Sequence, residues 1–311
     1  MTVLVEANHL SRYYGNQCAV DDVSFTLNQG EVLGLLGPNG AGKTTTMQML
    51  CGNLAPSTGQ IRINGIDLLD RPKEAKRNLG YLPDTPPLYR DLTVNEFLTY
   101  CAELHGVDKK AVPEAVKRAR ERCGLNEMQE RLIGNLSKGF QQRTGIAQAI
   151  LHNPKVIILD EPTVGLDPLQ IREIRALIRE LGREHGIILS THILTEVEES
   201  CTHVQIIHQG RLVLHETIEG LQRHMHSCTL EVITRLPPDL KALSALPGVL
   251  SVEPLAGNRL LVHHAVNNNP AKQLAELIVA AGWGLEELAP VKKSLEDVFI
   301  QLTWETEAGS E

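Results

Sequence analysis

One short string near the start of this chain restricts its fold more than any other feature. Residues 37–44 read Gly-Pro-Asn-Gly-Ala-Gly-Lys-Thr and fit the pattern G-x-x-x-x-G-K-[ST] at each fixed position. Residues 31–36 before the string, a glutamate followed by an apolar run, predict a short buried strand, and residues 44–51 after it predict a helix. A glycine-rich turn between a strand and a helix directs backbone N–H groups and the positive helix end toward one anion. The string therefore predicts a phosphate-binding loop; the alternative is a glycine-rich turn that matches by chance.

The residue types in this loop predict how a nucleoside triphosphate and its Mg²⁺ ion are held. Glycines allow the backbone to curl so that successive N–H groups face the phosphates. Lys43 is expected to reach the β and γ phosphates, and the Thr44 hydroxyl is expected to coordinate Mg²⁺. The predicted nucleotide-binding residues of the loop are Gly37, Pro38, Asn39, Gly40, Ala41, Gly42, Lys43, Thr44 and Thr45.

Further polar residues follow two other predicted strands. The run 156–159 is entirely apolar, which is typical of a central strand covered on both faces, and Asp160 and Glu161 come directly after it. Beside a phosphate loop, Asp160 is placed to hold Mg²⁺ through water, and Glu161 to polarise the attacking water as general base. His192 follows the predicted strand 186–190, and we expect it beside the γ-phosphate. Taken alone, the acids would cap a turn and the histidine would be a surface residue. The predicted catalytic residues are Glu161, His192 and Lys43.

Residues 136–143, Leu-Ser-Lys-Gly-Phe-Gln-Gln-Arg, complete a resemblance to the ATP-binding domain of ABC transporters. The string is similar to the family's signature L-S-G-G-Q: Ser137 and Gly139 match, whereas Lys138 and Phe140 depart. It lies between the phosphate loop and the acidic strand, at the start of a predicted helix, in the order typical of the family. The resemblance identifies the triphosphate as ATP.

The resemblance covers about residues 4–216 and implies a site that a second subunit completes. Ser137 and Gly139 of one chain would close over the ATP held by the phosphate loop of another. The family therefore implies a dimer, formed with a second copy of this chain or with a related ATPase subunit. Residues 165–167 resemble the loop that communicates across such a dimer.

Two positions within the resemblance carry alternatives. Tyr14 resembles the aromatic residue that stacks on adenine; Tyr13 is the other candidate, and a plain core or turn tyrosine is the alternative. At Asp84 the family usually has a glutamine that contacts Mg²⁺ and the attacking water. A carboxylate there still coordinates Mg²⁺, so we expect coordination to survive while coupling or turnover differs. The predicted metal-binding residues are Thr44, Asp84 and Asp160.

Three features resemble the ATPase subunits of ABC-2-type exporters and their gliding-motility relatives. They are the Lys138-Gly139 form of the signature, the acid at 84, and the string Ser-Leu-Glu-Asp-Val-Phe at 294–299, which is also typical of a capped helix start. This resemblance implies a chain that hydrolyses ATP to power a separate polytopic membrane permease. The alternatives are a soluble mechanical ATPase acting on ribosomes or nucleic acid, and a regulator that binds ATP without hydrolysing it.

Composition restricts the partners and the compartment. The formal net charge of −8 argues against a general nucleic-acid binder, so no nucleic-acid partner is expected. No apolar run reaches the roughly 18–20 residues of a membrane span, and the first residues lack a signal-peptide pattern. The six cysteines are scattered without a Cys-x-x-Cys pair, which favours a reducing compartment. We expect a cytoplasmic protein that lies peripherally on the cytoplasmic face of the cell membrane through its permease.

The pattern along the chain predicts two domains. Residues 1–220 are expected to form an α/β domain, a P-loop NTPase of ABC type with a mixed-sheet core and a helical subdomain at about 86–152. A linker at 221–227 follows. Residues 228–302 have the order β-α-β-β-α-β, which is typical of a small α+β domain of ferredoxin-like type. The acidic tail 303–311 is expected to be disordered.

Helix signals refine this organisation. Thr93 followed by Glu96 predicts a capping box at the start of a helix. Further helices are predicted at 113–122, 141–152, 169–185 and, at the end of the chain, 294–302.

Histidines in the second domain raise one further question. The string His-Met-His-Ser-Cys at 224–228 and the pair His263-His264 contain soft ligand types for a transition metal. A polar linker and two strand-end histidines are the favoured interpretation.

Overall fold

The computed structural model describes residues 2–265 and 268–292. The chain divides into two compact units between Ile218 and Glu219. Buried apolar clusters lie within each unit, so each has a core of its own. Within the described residues, no helix has both the length and the apolar character that crossing a membrane requires.

The first unit contains ten strands and seven α-helices among the described residues. The strands are β1 (Val3–Tyr14), β2 (Gln17–Asn28), β3 (Val32–Leu36), β4 (Thr58–Ile63), β5 (Ile66–Asp67), β6 (Leu79–Leu82), β7 (Val156–Asp160), β8 (Gly186–Thr191), β9 (His203–His208) and β10 (Arg211–Thr217). The helices are α1 (Lys43–Leu50), α2 (Pro72–Lys76), α3 (Val94–Leu104), α4 (Val112–Arg122), α5 (Lys138–Ile150), α6 (Pro168–Leu181) and α7 (Leu194–Ser200).

A six-stranded sheet places the ends of its parallel strands at one edge. Its order is β10-β9-β3-β8-β7-β6; β10 pairs antiparallel with β9, and the other pairs are parallel. The strands β3, β7 and β8 are buried along their whole length, as their continuous apolar sequences predict. Loops that leave the carboxyl ends of adjacent parallel strands meet in space. The phosphate loop after β3, Asp160 at the end of β7 and His192 after β8 therefore converge.

A four-stranded antiparallel sheet, in the order β2-β1-β4-β5, shares a core with the parallel sheet. Leu10, Val23 and Ile61 from this sheet are fully buried in the same cluster as Leu35 of β3 and Met47 of α1. Because α1 is packed between the two sheets through Met47, the start of that helix is held at a fixed place below the phosphate loop.

Capping residues set the beginnings of the helices in the helical part of this unit. The Oγ1 atom of Thr93 accepts a hydrogen bond from the Glu96 backbone N–H at 3.2 Å, and Glu96 Oε2 accepts one from the Thr93 N–H at 2.8 Å. The predicted capping box is thus confirmed. Helix α5 begins at Lys138 and not at the predicted residue 141, because Ser137 caps it by accepting from the Phe140 N–H at 3.4 Å.

Two other predicted helices differ from the structure at their ends. The predicted helix 169–185 is observed as α6 and ends at Leu181, where Gly182 follows and glycine disfavours further helix. The predicted helix 113–122 is observed as α4 with one additional residue at its start.

After one helix that was not predicted, the elements of the second unit follow the order β-α-β-β-α-β, as predicted. They are α8 (Ile218–Met225, whose first residue closes the first unit), β11 (His226–Thr234), α9 (Leu240–Ser244), β12 (Val249–Pro254), β13 (Arg259–His264), α10 (Ala271–Ala280) and β14 (Leu285–Lys292). The sheet order β12-β13-β11-β14, with each neighbouring pair antiparallel, is that of a ferredoxin-like sandwich. Alternate residues of β11 and β13, such as Val232 and Val262, pack against Leu274 and Ile278 of α10.

The segment predicted as a linker, 221–227, carries the end of α8 and the start of β11 instead. The predicted helix 294–302 and the tail 303–311 lie outside the described residues, as do the side chains of 224–228. His263 Nδ1 lies 3.0 Å from the Thr229 hydroxyl, and His264 Nδ1 lies 2.9 Å from the Ala265 carbonyl oxygen. Within the described part of the chain, no cluster of three histidine, cysteine or acidic residues is arranged to hold a metal.

Candidate active site

The phosphate loop requires glycine at two positions for different reasons. A Cβ atom at Gly37 would lie 2.3 Å from the Ile207 carbonyl oxygen, so a side chain does not fit there. Gly42 has a φ of 107°, and a Cβ on it would lie 2.6 Å from the Ala19 carbonyl oxygen. Gly42 is followed at once by α1, whose first N–H groups have no partner within the helix. The loop thereby directs these donors and the positive end of α1 toward the cleft.

Lys43 is the buried cation of the site. Its side chain is 6% exposed, and Nζ donates to the carbonyl oxygens of Gly37 at 2.8 Å and Pro38 at 3.2 Å. Nζ also lies 4.0 Å from Glu161 Oε1. Burial lowers the pKa of Lys43, while the charges of Glu161 and Asp160 act in the opposite direction. The ammonium is thus held between the phosphate loop and the acids of β7.

Asp160 ends β7 in a nearly closed environment. Its side chain is buried, and the Ser190 hydroxyl at the end of β8 donates to Oδ1. Burial raises the pKa of Asp160; the hydrogen bond from Ser190 opposes this rise, the charge of Asp84 adds to it, and Lys43 opposes it. Since Asp84 and Asp160 repel each other, a bound cation between these oxygens would relieve the repulsion.

Glu161 and His192 form a pair at the mouth of the cleft. The backbone of Glu161 has a φ of 48°, a left-handed conformation that turns the chain sharply after β7. His192 Nδ1 lies 3.1 Å from both carboxylate oxygens of Glu161. Burial raises the pKa of Glu161, whereas the hydrogen bond and charge of His192 and the charge of Lys43 act against this rise. The result is a carboxylate that accepts a proton more readily than an ordinary glutamate.

These groups line one open cleft of 620 Å³. The lining residues are Gln17, Cys18, Ala19, Asn39, Gly40, Gly42, Lys43, Thr44, Thr45, Asp84, Asp160, Glu161, Val164, His192, Gln209 and Gly210. The cleft thus brings together most of the predicted loop residues with the predicted acids and His192. Tyr14, Ser137 and Gly139 are not part of its lining.

Sequence reasoning missed the wall formed by Gln17–Ala19 and by the turn between β9 and β10. Gly210 in that turn donates to the Ala41 carbonyl oxygen at 2.9 Å and accepts from the Asp21 N–H at 2.8 Å. The turn therefore braces the phosphate loop against the start of β2. The Gln-Gly pair at 209–210 is far from the phosphate loop in sequence, so no local pattern indicated this contact.

The two adjacent tyrosines have different surroundings. Tyr14 is half exposed, and the Arg12 guanidinium lies over its ring, 5.0 Å from the centroid. The pKa of Tyr13 is raised, first by a hydrogen bond with the Cys18 side chain and then by the negative charges of Cys18 and Asp21. The positive charge of Arg211 acts against this rise. Cys18 lines the cleft. The choice of Tyr14 or Tyr13 as the adenine-stacking residue stays a prediction.

A phosphate loop between β3 and α1, with a carboxylate pair at the end of a nearby parallel strand, defines a P-loop NTPase. The sequence model of the family described as ABC transporter matches residues 20–164. The chain belongs to the ATP-binding proteins of ABC transporters, a family of ATPases coupled to transport. The resemblance and fold class inferred from the sequence are thus confirmed.

The matches to similar proteins cover from 68% to 96% of this chain. The bacitracin transport ATP-binding protein BcrA of Bacillus licheniformis is 42% identical over 215 residues, which cover 68% of this chain and 69% of that protein. The ABC transporter ATP-binding protein YxlF of Bacillus subtilis is 35% identical over 301 residues, 96% of this chain and 99% of that protein. A solved ATP-binding subunit of an ABC transporter is 36% identical with a TM-score of 0.65, and covers 71% of this chain and 92% of that one.

The raised pKa of Glu161 predicts how stability depends on pH. Because the folded chain binds this proton more tightly than the unfolded chain, Glu161 favours folding below the usual glutamate pKa of about 4.3. That contribution is lost as pH rises through the folded pKa. Without nucleotide, Glu161→Gln should raise the melting temperature by a few degrees at pH 7–8, and the difference should vanish near pH 4. Glu127→Gln, which removes an exposed acid, is the control. A Glu161→Gln melting temperature at or below that of the parent at pH 7–8 would contradict the prediction.

Proposed function

We propose that this chain is the ATP-hydrolysing subunit of a transporter whose membrane-crossing part is a separate permease, and that the transporter is an ABC-2-type exporter. The observation that carries the proposal is the single cleft in which the phosphate loop, the buried Lys43 and the Glu161–His192 pair lie together. The name of the bacitracin transport relative supports a role in transport. The Lys138-Gly139 signature and Asp84 support the exporter type. Such a subunit would lie on the cytoplasmic face of the membrane, against its permease.

Different residues of the cleft would have different roles in ATP hydrolysis. The N–H groups of the loop and of the first turn of α1 would hold the triphosphate, and Lys43 would shift its hydrogen bonds from the loop carbonyls to the phosphates. Glu161, with its raised pKa, would polarise the attacking water and take its proton. His192 would hold the Glu161 carboxylate in place and face the γ-phosphate. Because Glu161 and His192 already lie together in the cleft, this pair would need little reorganisation.

The oxygen donors in the cleft fit Mg²⁺. Thr44, Asp84 and Asp160 all line it. The two carboxylates repel each other, and a hard cation bound between them would offset this repulsion. Bound there, Mg²⁺ would neutralise charge on the phosphates. Ser137 and Gly139 lie outside this cleft, at the start of α5, where the positive helix end would face the γ-phosphate held by a second subunit.

Replacing Asp84 tests its part in metal binding. Asp84→Gln exchanges a charged ligand for a neutral one, so half-maximal ATPase activity should require several-fold more Mg²⁺. Asp84→Asn, which has the same length as the native residue, should show the same direction of change. Steady-state turnover measured across a Mg²⁺ titration provides the comparison. Unchanged Mg²⁺ dependence and rate in both variants would assign Asp84 no role in the site.

An ATP-dependent dimer is the second expectation. Glu161→Gln should bind ATP without hydrolysing it and should pair when ATP is added, because the γ-phosphate then stays between the two subunits. Size-exclusion chromatography with light scattering reports the mass. The double variant Lys43→Ala/Glu161→Gln should stay monomeric, since loss of Lys43 weakens nucleotide binding. A Glu161→Gln protein that remains monomeric with saturating ATP contradicts the homodimer.

Purification from the native membrane tests the partner. The full chain, recovered in mild detergent, should bring down a polytopic membrane protein in a stoichiometric complex, and adding that protein should raise the ATPase rate. Recovery with ribosomes or DNA and without a membrane protein would favour a mechanical ATPase instead. A complex with no ATPase activity would favour the ATP-binding regulator.

A further inference from the structure

A buried carboxylate lies directly behind the catalytic cleft. Glu196, in the first turn of α7, is 1% exposed. Among the described residues it has no ion-pair partner, and the groups that bond it are two threonine hydroxyls. Burying a carboxylate without a cation is costly, so the hydrogen bonds from the two hydroxyls are the interactions that offset its desolvation.

The two hydroxyls belong to the two segments that carry the catalytic pair. Thr163 Oγ1 donates to Glu196 Oε1, and Thr191 Oγ1 donates to Glu196 Oε2 at 2.6 Å. Thr163 lies two residues after Glu161, in a turn closed by the Val164 N–H donating to the Glu161 carbonyl oxygen at 3.3 Å. Glu196 therefore connects the segment after β7 with the end of β8 inside the protein. The same two segments are in contact at the cleft through Glu161 and His192.

Thr191 also shapes the turn that presents His192. While its hydroxyl donates to Glu196, the same oxygen accepts a hydrogen bond from the Ile193 N–H at 3.1 Å. Thr191 and Ile193, which flank His192 in the chain, are therefore hydrogen-bonded to each other in a tight turn. Because the Thr191 O–H donates to Glu196, its oxygen lone pairs stay available to accept from the Ile193 N–H.

We infer that Glu196 is a positioning residue that holds the turn of Glu161 and the turn of His192 in one arrangement through the hydroxyls of Thr163 and Thr191. Glu196 does not line the cleft, so it would act through the two threonines and not on the reacting atoms. The inference rests on the proposed roles of Glu161 and His192 in hydrolysis.

Two pairs of threonine substitutions separate the hydrogen bonds from packing. Valine keeps the shape of Thr163 or Thr191 without the hydroxyl, whereas serine keeps the hydroxyl and loses the methyl group. In the full chain, with its permease where that is needed for turnover, Thr163→Val and Thr191→Val should each lower kcat by roughly 10- to 100-fold. Nucleotide affinity should change by less than about 2-fold, because the phosphate loop is untouched. Thr163→Ser and Thr191→Ser should recover most of the lost rate.

The double variant and a matched control complete the experiment. Thr163→Val/Thr191→Val should lose no more than the more impaired single variant, because both bonds serve one arrangement. Ser200→Ala is the control: its hydroxyl is buried on the same helix and has no hydrogen-bond partner among the described residues, so kcat should stay unchanged.

Four outcomes would overturn the inference. They are valine variants with normal kcat, serine variants as impaired as valine variants, fully additive losses in the double variant, and an equal loss in Ser200→Ala. A parallel Glu161→Gln measurement separates this failure from failure of the proposed function. If Glu161→Gln abolishes turnover while the valine variants are normal, the positioning role alone fails. If Glu161→Gln turns over normally, the proposed roles in hydrolysis fail as well.

Discussion

The buried ammonium of Lys43 is the interaction on which the arrangement of this site depends. Two carboxylates at the end of β7 are largely withdrawn from water, and Lys43 Nζ, 4.0 Å from one of them, is the cation that faces both. Buried charges of one sign are tolerated where an opposite charge and hydrogen bonds offset their desolvation. The two loop carbonyls that accept from Lys43 thus hold a positive charge at the position where a triphosphate would add further negative charge.

The parallel strands explain why so much of this site was predictable from sequence. A continuous apolar run, followed at once by a polar residue, identifies both the strand and the point where it ends, and parallel strands end at a common edge. The phosphate loop, the Asp160–Glu161 pair and His192 were recognisable for that reason. The same local logic predicted the capping box of Thr93, because both of its bonds lie within four residues.

Features that depend on contacts between distant segments were not predictable in this way. The bracing of the phosphate loop by Gly210 joins residues far apart in sequence. Two local signals were also missed. Ile218, Leu221 and Met225 have helical spacing, yet the segment 221–227 was predicted as a linker, and α8 occupies most of it. The start of α5 was misplaced because Ser137 was assigned to the signature alone, although a serine before a helix is also a cap.

Lys138, one of the residues at which the signature departs from the family pattern, lies close to another segment of the same chain. Lys138 occupies a position where the family has glycine, and its ammonium lies so close to Gly165 that a Cβ there would be 2.2 Å from Nζ. Gly139 is similarly crowded by the side chain of Gln170, at the start of α6. The beginning of α5 is therefore packed directly against the 165–167 loop and the first turn of α6. Close-packed segments cannot shift independently, so a displacement of this loop in the proposed dimer would move the signature residues with it.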